Sequence, residues 1–159
     1  MDKFEIKDGV AIIPKGTREI PNNAFFGCSS LITIIIPESV TSIGSGAFEG
    51  CSSLTSVVIP ESIKRIGSFA FSECSLLKSV VIPKSVKTIG NNAFCSCSSL
   101  EIVHLPAGVS NFEIDSFKDC CNLKAICVPE DKVDYYKEHF PVDMHWLIVE
   151  EGSGLPVKA

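Results

Sequence analysis

The feature that most constrains the fold of this sequence is a repeat of 23 residues that recurs without insertion. Its first whole copy begins at Ala24-Phe25 and reaches Pro37 before the second half of the unit starts. The Phe recurs at 48, 71, 94 and 117, the Cys of position 28 at 51, 74, 97 and 120, and the Pro at 60, 83, 106 and 129. A fixed period of this length is typical of a solenoid, in which each unit buries its apolar face against its neighbours. We therefore expect an elongated body in which equivalent side chains stack in columns.

Each repeat divides into three parts. Phe25 and Cys28 are three residues apart, which places them on one face of a short helical turn. Ile34 and Ile36 are two apart and share one face of a strand, which the following Pro ends because it cannot donate to a ladder. The remaining part ends at Ile43-Gly44 and is predicted to form a short second strand or an extended segment. The glycine predicts a backbone turn that a side chain would obstruct.

The repeats are flanked by two dissimilar ends. The sequence predicts an N-terminal cap hairpin and partial repeat (1–23), the 23-residue repeats (24–129), a C-terminal cap of helix plus strand (130–149) and a flexible tail (150–159). The hairpin is indicated by Asp8-Gly9 between two apolar runs, and the closing strand by Met144–Val149. Caps are expected because an open terminal strand would pair with another chain.

Composition and charge narrow the class of partner. Hydrophobic residues make up 45% of the chain, which is enough for a continuous core, and the net charge is −5 with no run of Lys or Arg. Nucleic acid and anionic membranes both need a basic face, so neither is expected as a partner. No stretch approaches the roughly 20 apolar residues of a spanning helix, so no membrane insertion is expected. The start at Met1-Asp2 shows no signal peptide; we expect a cytoplasmic protein as written, and a surface or secreted one if a leader has been removed.

The sequence predicts no enzyme and no catalytic residue. It contains no Gly-x-Ser-x-Gly, no phosphate-binding Gly loop and no His-Glu-x-x-His, and its three His residues are scattered. The Ser-Ser pairs at 29–30, 52–53 and 98–99 recur with the repeat, so turn chemistry explains them better than nucleophilic catalysis.

The eight cysteines have a structural interpretation and a functional one, in which they bind a metal or act in redox chemistry. Five occupy one position of the repeat, beside the Phe, whereas zinc sites need about four converging ligands with paired Cys-x2–4-Cys spacings. Free Cys often packs as a small buried hydrophobe, so we expect structural thiols and no metal or other cofactor. Cys95, Cys121 and Cys127 lie off this column and are expected to be more exposed.

The unit Ala-Phe-x-x-Cys-x-x-Leu-x-x-Val-x-Ile-Pro-x-Ser-Val-x-x-Ile-Gly resembles the BspA-type leucine-rich repeat over residues 10–129. Cys127-Val128-Pro129, followed by a helix with Tyr135-Tyr136, is similar to the C-terminal cap of that family. The resemblance implies a leucine-rich-repeat solenoid, a repeat α/β fold that is mainly β. Its parallel sheet would form the concave side, with short helical turns and extended segments on the other side. It also implies a non-enzymatic role, since members are mostly surface or secreted proteins of host-associated bacteria and some parasitic protists, implicated in adhesion and in binding host matrix proteins.

The outward positions of the predicted sheet are the candidate binding residues on the concave face. They comprise an apolar stripe with flanking hydroxyl and charged positions: Ile35, Val58, Val81, His104, Thr33, Ser56, Ser79, Ile102, Lys78 and Glu101. An exposed apolar stripe is typical of a contact surface; the alternative is that β-branched residues are simply good strand formers.

Two functions from different classes stay open at this point. The first is a recognition module for a protein partner of unknown identity, in host-matrix binding or cell adhesion. The second is a structural or assembly element that self-associates through its end caps.

Overall fold

The computed structural model describes residues 4–112 and 114–154, without the side chain of Ile114. The expectations for residues 1–3, Glu113 and 155–159 lie outside the described residues. The strands are β1 Ile6–Lys7, β2 Val10–Ile12, β3 Glu19–Ile20, β4 Thr33–Ile35, β5 Ser42–Ile43, β6 Arg65–Ile66, β7 Ser79–Val81, β8 Thr88–Ile89, β9 Ile102–His104, β10 Asn111–Phe112, β11 Ala125–Val128 and β12 Ile148–Glu150. The helices are α1 Val133–His139 and three 3-10 helices, Ile114–Phe117, Glu130–Lys132 and Val142–Leu147.

The first half of every repeat except the second full one contributes a strand to a parallel array with a register of one period. The array comprises two sheets, ordered β1-β2-β4 and β7-β9-β11-β12. Val10 pairs with Thr33, and Ser79 pairs with Ile102, each 23 residues on. Among the described strands only β1 is antiparallel to its neighbour. It forms the hairpin with β2 through Asp8-Gly9, where both residues have the positive φ that this tight turn requires.

The array is interrupted at the second full repeat, where the strand expected at Val57–Ile59 does not form. The Thr55 N–H still donates to the Ile32 carbonyl at 3.0 Å. The N–H groups of Ile13 and Ile82 donate to carbonyls of the next repeat. Among the described residues, however, the equivalent N–H of Ile36 makes no such hydrogen bond. The array is therefore two sheets with residues 56–58 between them.

The second half of each repeat forms a continuous parallel sheet of two-residue strands, ordered β10-β8-β6-β5-β3. Its register is again one period, with Ser42 opposite Arg65 and Arg65 opposite Thr88. The prediction of a short second strand is therefore confirmed.

The part of the repeat that was expected to be a short helical turn is not helical in the first four full repeats. Asn23 and Gly27 have positive φ, at 58° and 69°, which a right-handed helix does not allow. These rotations direct alternate N–H groups, those of Asn23, Phe25 and Gly27, to carbonyls of the next repeat at 2.7–2.9 Å. The intervening N–H groups bond within the turn, so this segment adds a third ladder between repeats.

The phenylalanines of the repeat form one continuous buried column. Successive rings from Phe25 through Phe117 stack with centroids 5.0–5.3 Å apart and interplanar angles of 5–10°. Phe4 covers the first ring at 5.6 Å and Phe140 the last at 6.1 Å. The prediction that side chains 23 residues apart stack is confirmed for this column.

The repeat glycines are required because neighbouring repeats approach closely. A Cβ on Gly67 would lie 2.6 Å from the backbone nitrogen of Ser45, and one on Gly90 would lie 2.4 Å from that of Ser68. A side chain is obstructed, as predicted, but by the preceding repeat rather than by a turn of the glycine's own backbone.

The C-terminal segment packs its aromatic residues on the last two repeats. Tyr136 of α1 is fully buried and its hydroxyl donates to the Pro106 carbonyl, while the Tyr135 hydroxyl donates to the Val109 carbonyl at 2.8 Å. The strand expected over Met144–Val149 begins only at Ile148, because the chain after Pro141 forms a 3-10 helix. β12 then pairs in parallel with β11.

Candidate protein-binding surface

An apolar row runs along the outer face of the first array. It consists of Ile12, Ile35, Val58 and Val81, which are 64%, 54%, 80% and 61% exposed. These residues alternate with buried neighbours, because successive side chains of extended backbone point to opposite faces. The apolar row is therefore a surface feature produced by the same alternation that fills the core.

Hydroxyl side chains lie two positions before the last three residues of the apolar row. Thr33 is half-buried, and Ser56 and Ser79 are exposed. The three residues have the same strand parity as the apolar row, so they face outward with it. The two sets together give a face with apolar and hydrogen-bonding groups side by side.

Residues 56–58 lie between two grooves on this face. The first has a volume of about 320 Å³ and includes Thr33, Ile35 and Val58 in its lining. The second, of about 260 Å³, includes Val58 and Val81. Within residues 4–112 and 114–154, no N–H group of residues 56–58 donates to a protein acceptor. The interruption of the array therefore leaves these three N–H groups without a protein acceptor between the two grooves.

The C-terminal part of the predicted site is more polar. Lys78 is exposed, whereas Glu101 is half-buried and accepts from Lys124 Nζ at 3.3 Å. Ile102 and His104 are half-buried, and His104 Nδ1 lies 2.9 Å from the Glu151 carboxylate. The predicted residues thus divide into an apolar part around Val58 and a charged part around His104.

Two residues of this face were missed by the sequence reasoning. Ile12 lies one period before Ile35, and β2 pairs it directly with Ile35, so the repeat spacing was a sufficient signal for it. Glu151 follows the non-repeating C-terminal segment, and nothing in its spacing indicates that it would contact His104.

The cysteine column is buried and hydrogen-bonded to the backbone. Four thiols donate to the carbonyl of a Phe in the preceding repeat at 3.1–3.2 Å: Cys51, Cys74, Cys97 and Cys120. Burial raises the pKa of the Cys51 thiol to about 12 and that of Cys74 further. These four thiols are therefore structural.

The remaining cysteines are more accessible than the four buried thiols. Cys121 is exposed, while Cys28, Cys95 and Cys127 are half-buried. Cys28 is therefore less buried than the four cysteines at the equivalent position of the later repeats. Burial, together with the neighbouring Glu151 carboxylate, raises the pKa of the Cys127 thiol.

No helix among the described residues is both long enough and apolar enough to cross a bilayer.

Stacked repeats with a buried leucine shortly before the first strand, a proline after it and a second short strand are typical of a leucine-rich-repeat protein. The family model for the BspA type leucine rich repeat region matches six copies over residues 10–140. The chain therefore belongs to the BspA-type leucine-rich repeat family, and the resemblance noted from the sequence is confirmed. The family consists typically of non-enzymatic repeat proteins, and it favours a protein-interaction module.

Solved structures of bacterial leucine-rich-repeat proteins share this fold. The chain is 35% identical to the Leucine Rich Repeat protein of T. pallidum, with a TM-score of 0.72 and coverage of 75% of this chain and 58% of that one. It is 31% identical to a leucine rich cell surface protein from Faecalibacterium prausnitzii, with a TM-score of 0.77 and coverage of 82% and 34%. A leucine-rich repeat protein from Bacteroides ovatus is 29% identical, with a TM-score of 0.65 and coverage of 82% and 39%.

The chain thus spans between about a third and three fifths of the length of these solved chains. A search of curated proteins found no match.

Proposed function

We propose that the chain is a non-enzymatic recognition module that binds a protein partner on the face carrying the apolar row. In this proposal the repeats curve into a solenoid and this face is its concave side. The observation that supports it most is the exposure of the apolar row, with Val58 at 80%. Contiguous exposed apolar side chains on a folded protein are typical of interaction surfaces.

Strand propensity alone explains the apolar row poorly. β-branched residues are favoured where a pleated strand forms, which accounts for Ile35 in β4 and Val81 in β7. Val58 lies in the interruption, where no strand forms, and it is nevertheless the most exposed residue of the row. A contact with a partner gives this valine a role that strand formation does not.

The interruption also supports a particular kind of partner segment. An extended peptide binds a sheet by main-chain hydrogen bonds, with alternate side chains entering pockets. Among the described residues the N–H groups of residues 56–58 have no protein acceptor, and the grooves on either side of Val58 are about 320 and 260 Å³. We propose that the partner presents an extended, partly apolar segment across these grooves.

The partner class we propose is a host-matrix or cell-adhesion protein. The support is that the similar F. prausnitzii structure is described as a leucine rich cell surface protein. Surface plasmon resonance tests this class directly. A panel of extracellular-matrix proteins is immobilised, and the chain is passed over it as the analyte. If the chain binds none of these proteins saturably, the adhesion role is rejected, and a protein partner of another class stays open.

The surface itself is tested by Val58→Asp combined with Val81→Asp. If the partner buries both valines, each contributes about 1.5–3 kcal/mol, so the double variant should bind about 100-fold more weakly or worse. The matched control is Phe26→Asp with Val142→Asp, which also charges two exposed apolar positions but away from this face. Circular dichroism of both variants establishes that the fold is retained. Equal binding by the wild type and the first variant would eliminate this surface.

Self-association through the C-terminal end is the second candidate function. The outer edge of β12 has no strand partner among the described residues. A groove of about 510 Å³ lies nearby, and Leu123, Met144 and Trp146 contribute to its lining. Size-exclusion chromatography with light scattering distinguishes the two: a stable oligomer at micromolar concentration favours assembly, and a monomer favours recognition of another protein.

A further inference from the structure

Three chemically different side chains converge at the C-terminal end of the outward face: His104, Cys127 and Glu151. One ligand-capable atom from each, an imidazole nitrogen, the Sγ and a carboxylate oxygen, lies within 4.8 Å of the other two. His104 and Cys127 are half-buried and Glu151 is exposed, so the cluster opens to solvent on one side.

The backbone fixes the relative positions of these residues. Cys127 of β11 lies directly opposite His104 of β9 in the parallel pairing. Glu151 follows β12, and its N–H donates to the Val128 carbonyl at 2.8 Å, which extends the pairing of β12 with β11 by one residue. A turn then closes, with the Ser153 N–H donating to the Glu150 carbonyl at 3.1 Å. The cluster is therefore assembled from main-chain ladders rather than from mobile loops.

We propose that His104, Cys127 and Glu151 form a binding site for Zn²⁺, with three protein ligands and a fourth position open to water or to a group of a partner. An imidazole nitrogen, a thiolate sulfur and a carboxylate oxygen are the three ligand types that Zn²⁺ uses in proteins. Calcium and magnesium take oxygen ligands, so a site with one sulfur and one nitrogen selects against them.

The geometry requires only small side-chain adjustments. Zinc–ligand bonds of about 2.0–2.3 Å at tetrahedral angles place the ligand atoms about 3.3–3.8 Å apart. In the structure His104 Nδ1 is 2.9 Å from the Glu151 carboxylate, and no pair in the cluster exceeds 4.8 Å. The ion would separate the first pair slightly and draw the thiolate inward. The thiol proton is released to solvent when the sulfur binds the ion.

This site is not the metal site that the sequence argues against. That site would involve the repeat cysteines, and four of these are buried with their thiols bonded to Phe carbonyls. Cys127 lies off that column, and its two partners come from a different repeat and from the C-terminal segment. An ion here would cross-link β9, β11 and the chain after β12.

Cobalt substitution tests the proposal with a spectroscopic signature of the thiolate. Reduced protein is titrated with Co²⁺ and then with Zn²⁺. We expect one equivalent of Co²⁺ to give a sulfur-to-cobalt charge-transfer band and tetrahedral d–d bands that Zn²⁺ abolishes. Cys127→Ser should remove the charge-transfer band, and Cys121→Ser, which changes an exposed thiol outside the cluster, should leave it unchanged. A band that is absent in the wild type, or that survives in Cys127→Ser, would overturn the proposal.

Affinity and stability provide independent readouts. His104→Gln and Glu151→Gln should each lower the Zn²⁺ affinity, measured by calorimetry, by at least about tenfold. Loss of a residue that only hydrogen-bonds to a metal ligand already lowers the affinity by about tenfold or more, and loss of a ligand itself should cost at least as much. Zn²⁺ should raise the Tm of the wild type and of Cys121→Ser but not that of Cys127→Ser, because only folded protein presents the site. Equal Tm shifts in all variants would mean non-specific binding and would reject the site.

Discussion

Replacing Phe71 by Ala tests whether the stacked phenylalanines hold neighbouring repeats together. Phe71 is 0% exposed and occupies the middle of the column. Its ring stacks on Phe48 at 5.0 Å and on Phe94 at 5.2 Å, with interplanar angles of 10° and 5°. Alanine removes both contacts and leaves a cavity between repeats whose backbones are joined by three ladders on the Phe94 side and by two on the Phe48 side.

The expected loss of unfolding free energy is about 3–5 kcal/mol, the usual range for a buried Phe→Ala change in which the site cannot collapse. Two lost aromatic pairs account for about 1–3 kcal/mol of this, at about 0.5–1.5 kcal/mol each. The remainder is lost transfer free energy and cavity cost. Because repeats contact only their neighbours, a central defect also weakens the coupling between the two halves of the array.

Urea denaturation followed by far-ultraviolet circular dichroism measures the effect. Phe26→Ala is the matched control, since Phe26 is adjacent to the column but 60% exposed, and it should change stability by about 0.5 kcal/mol or less. Phe71→Leu should fall between the two because it retains most of the volume but neither stack. If Phe71→Ala cost no more than Phe26→Ala, stacking between repeats would not be a main source of stability.

Four further predictions concern the turns and the thiols. Gly67→Ala should destabilise the fold by about 1–3 kcal/mol in urea, because its Cβ would meet backbone of the preceding repeat at 2.6 Å. Gly108→Ala should be nearly neutral, because its Cβ would meet the flexible end of Lys87 and would lie at an ordinary contact distance of 3.5 Å from the Lys84 carbonyl. Glu73 has a φ of 59°, so Glu73→Gly should raise the unfolding free energy by about 1 kcal/mol and Glu73→Ala should not. In native protein at pH 8, a disulfide reagent should modify Cys121 fast and the buried column slowly; five or more fast thiols would contradict the burial. Since the folded pKa of Cys51, about 12, exceeds its usual 9.0, its contribution to stability is present below pH 9 and is lost as the pH rises towards 12, which alkaline denaturation of Cys51→Ala against wild type measures.

The register of the strands and the identity of the core could be predicted because the period never varies. With no insertion between copies, Val10 and Thr33 can pair only one period apart, and the same arithmetic places each Phe over the next. In a nearest-neighbour array one correct register determines all of them.

The conformation of the turn could not be predicted from the spacing of Phe25 and Cys28 alone. Residues three apart lie on one face of a helical turn and also at the two ends of a β-turn, so the apolar pattern suits both. The distinguishing signal was composition at two positions of the repeat, where Asn23 and Gly27 recur as Gly46 and Gly50. Asn and Gly tolerate the left-handed region, and all four residues adopt it.

The sequence was sufficient to predict which side chains of the candidate surface face outward, but not that the strand at residues 56–58 is missing. Strand parity is sufficient to place Ile35, Val58 and Val81 outward. The segment Ser56-Val57-Val58 does not form the strand that the identical Ser79-Val80-Val81 forms as β7. Since the same three residues behave differently, their own identity does not explain the interruption.

Departures from the period are where specific chemistry can arise in such a chain. A repeat position that faces the core is tied to the equivalent positions above and below it, so a change there disturbs the column. An outward position has no such partner, and the row that is apolar through Val81 can become His104 and then Cys127 without altering the ladders. The third member of that cluster, Glu151, comes from the non-repeating end, where the chain is free of the period altogether. The apolar row and the polar cluster are thus two parts of one face, made different by the positions that the core leaves unconstrained.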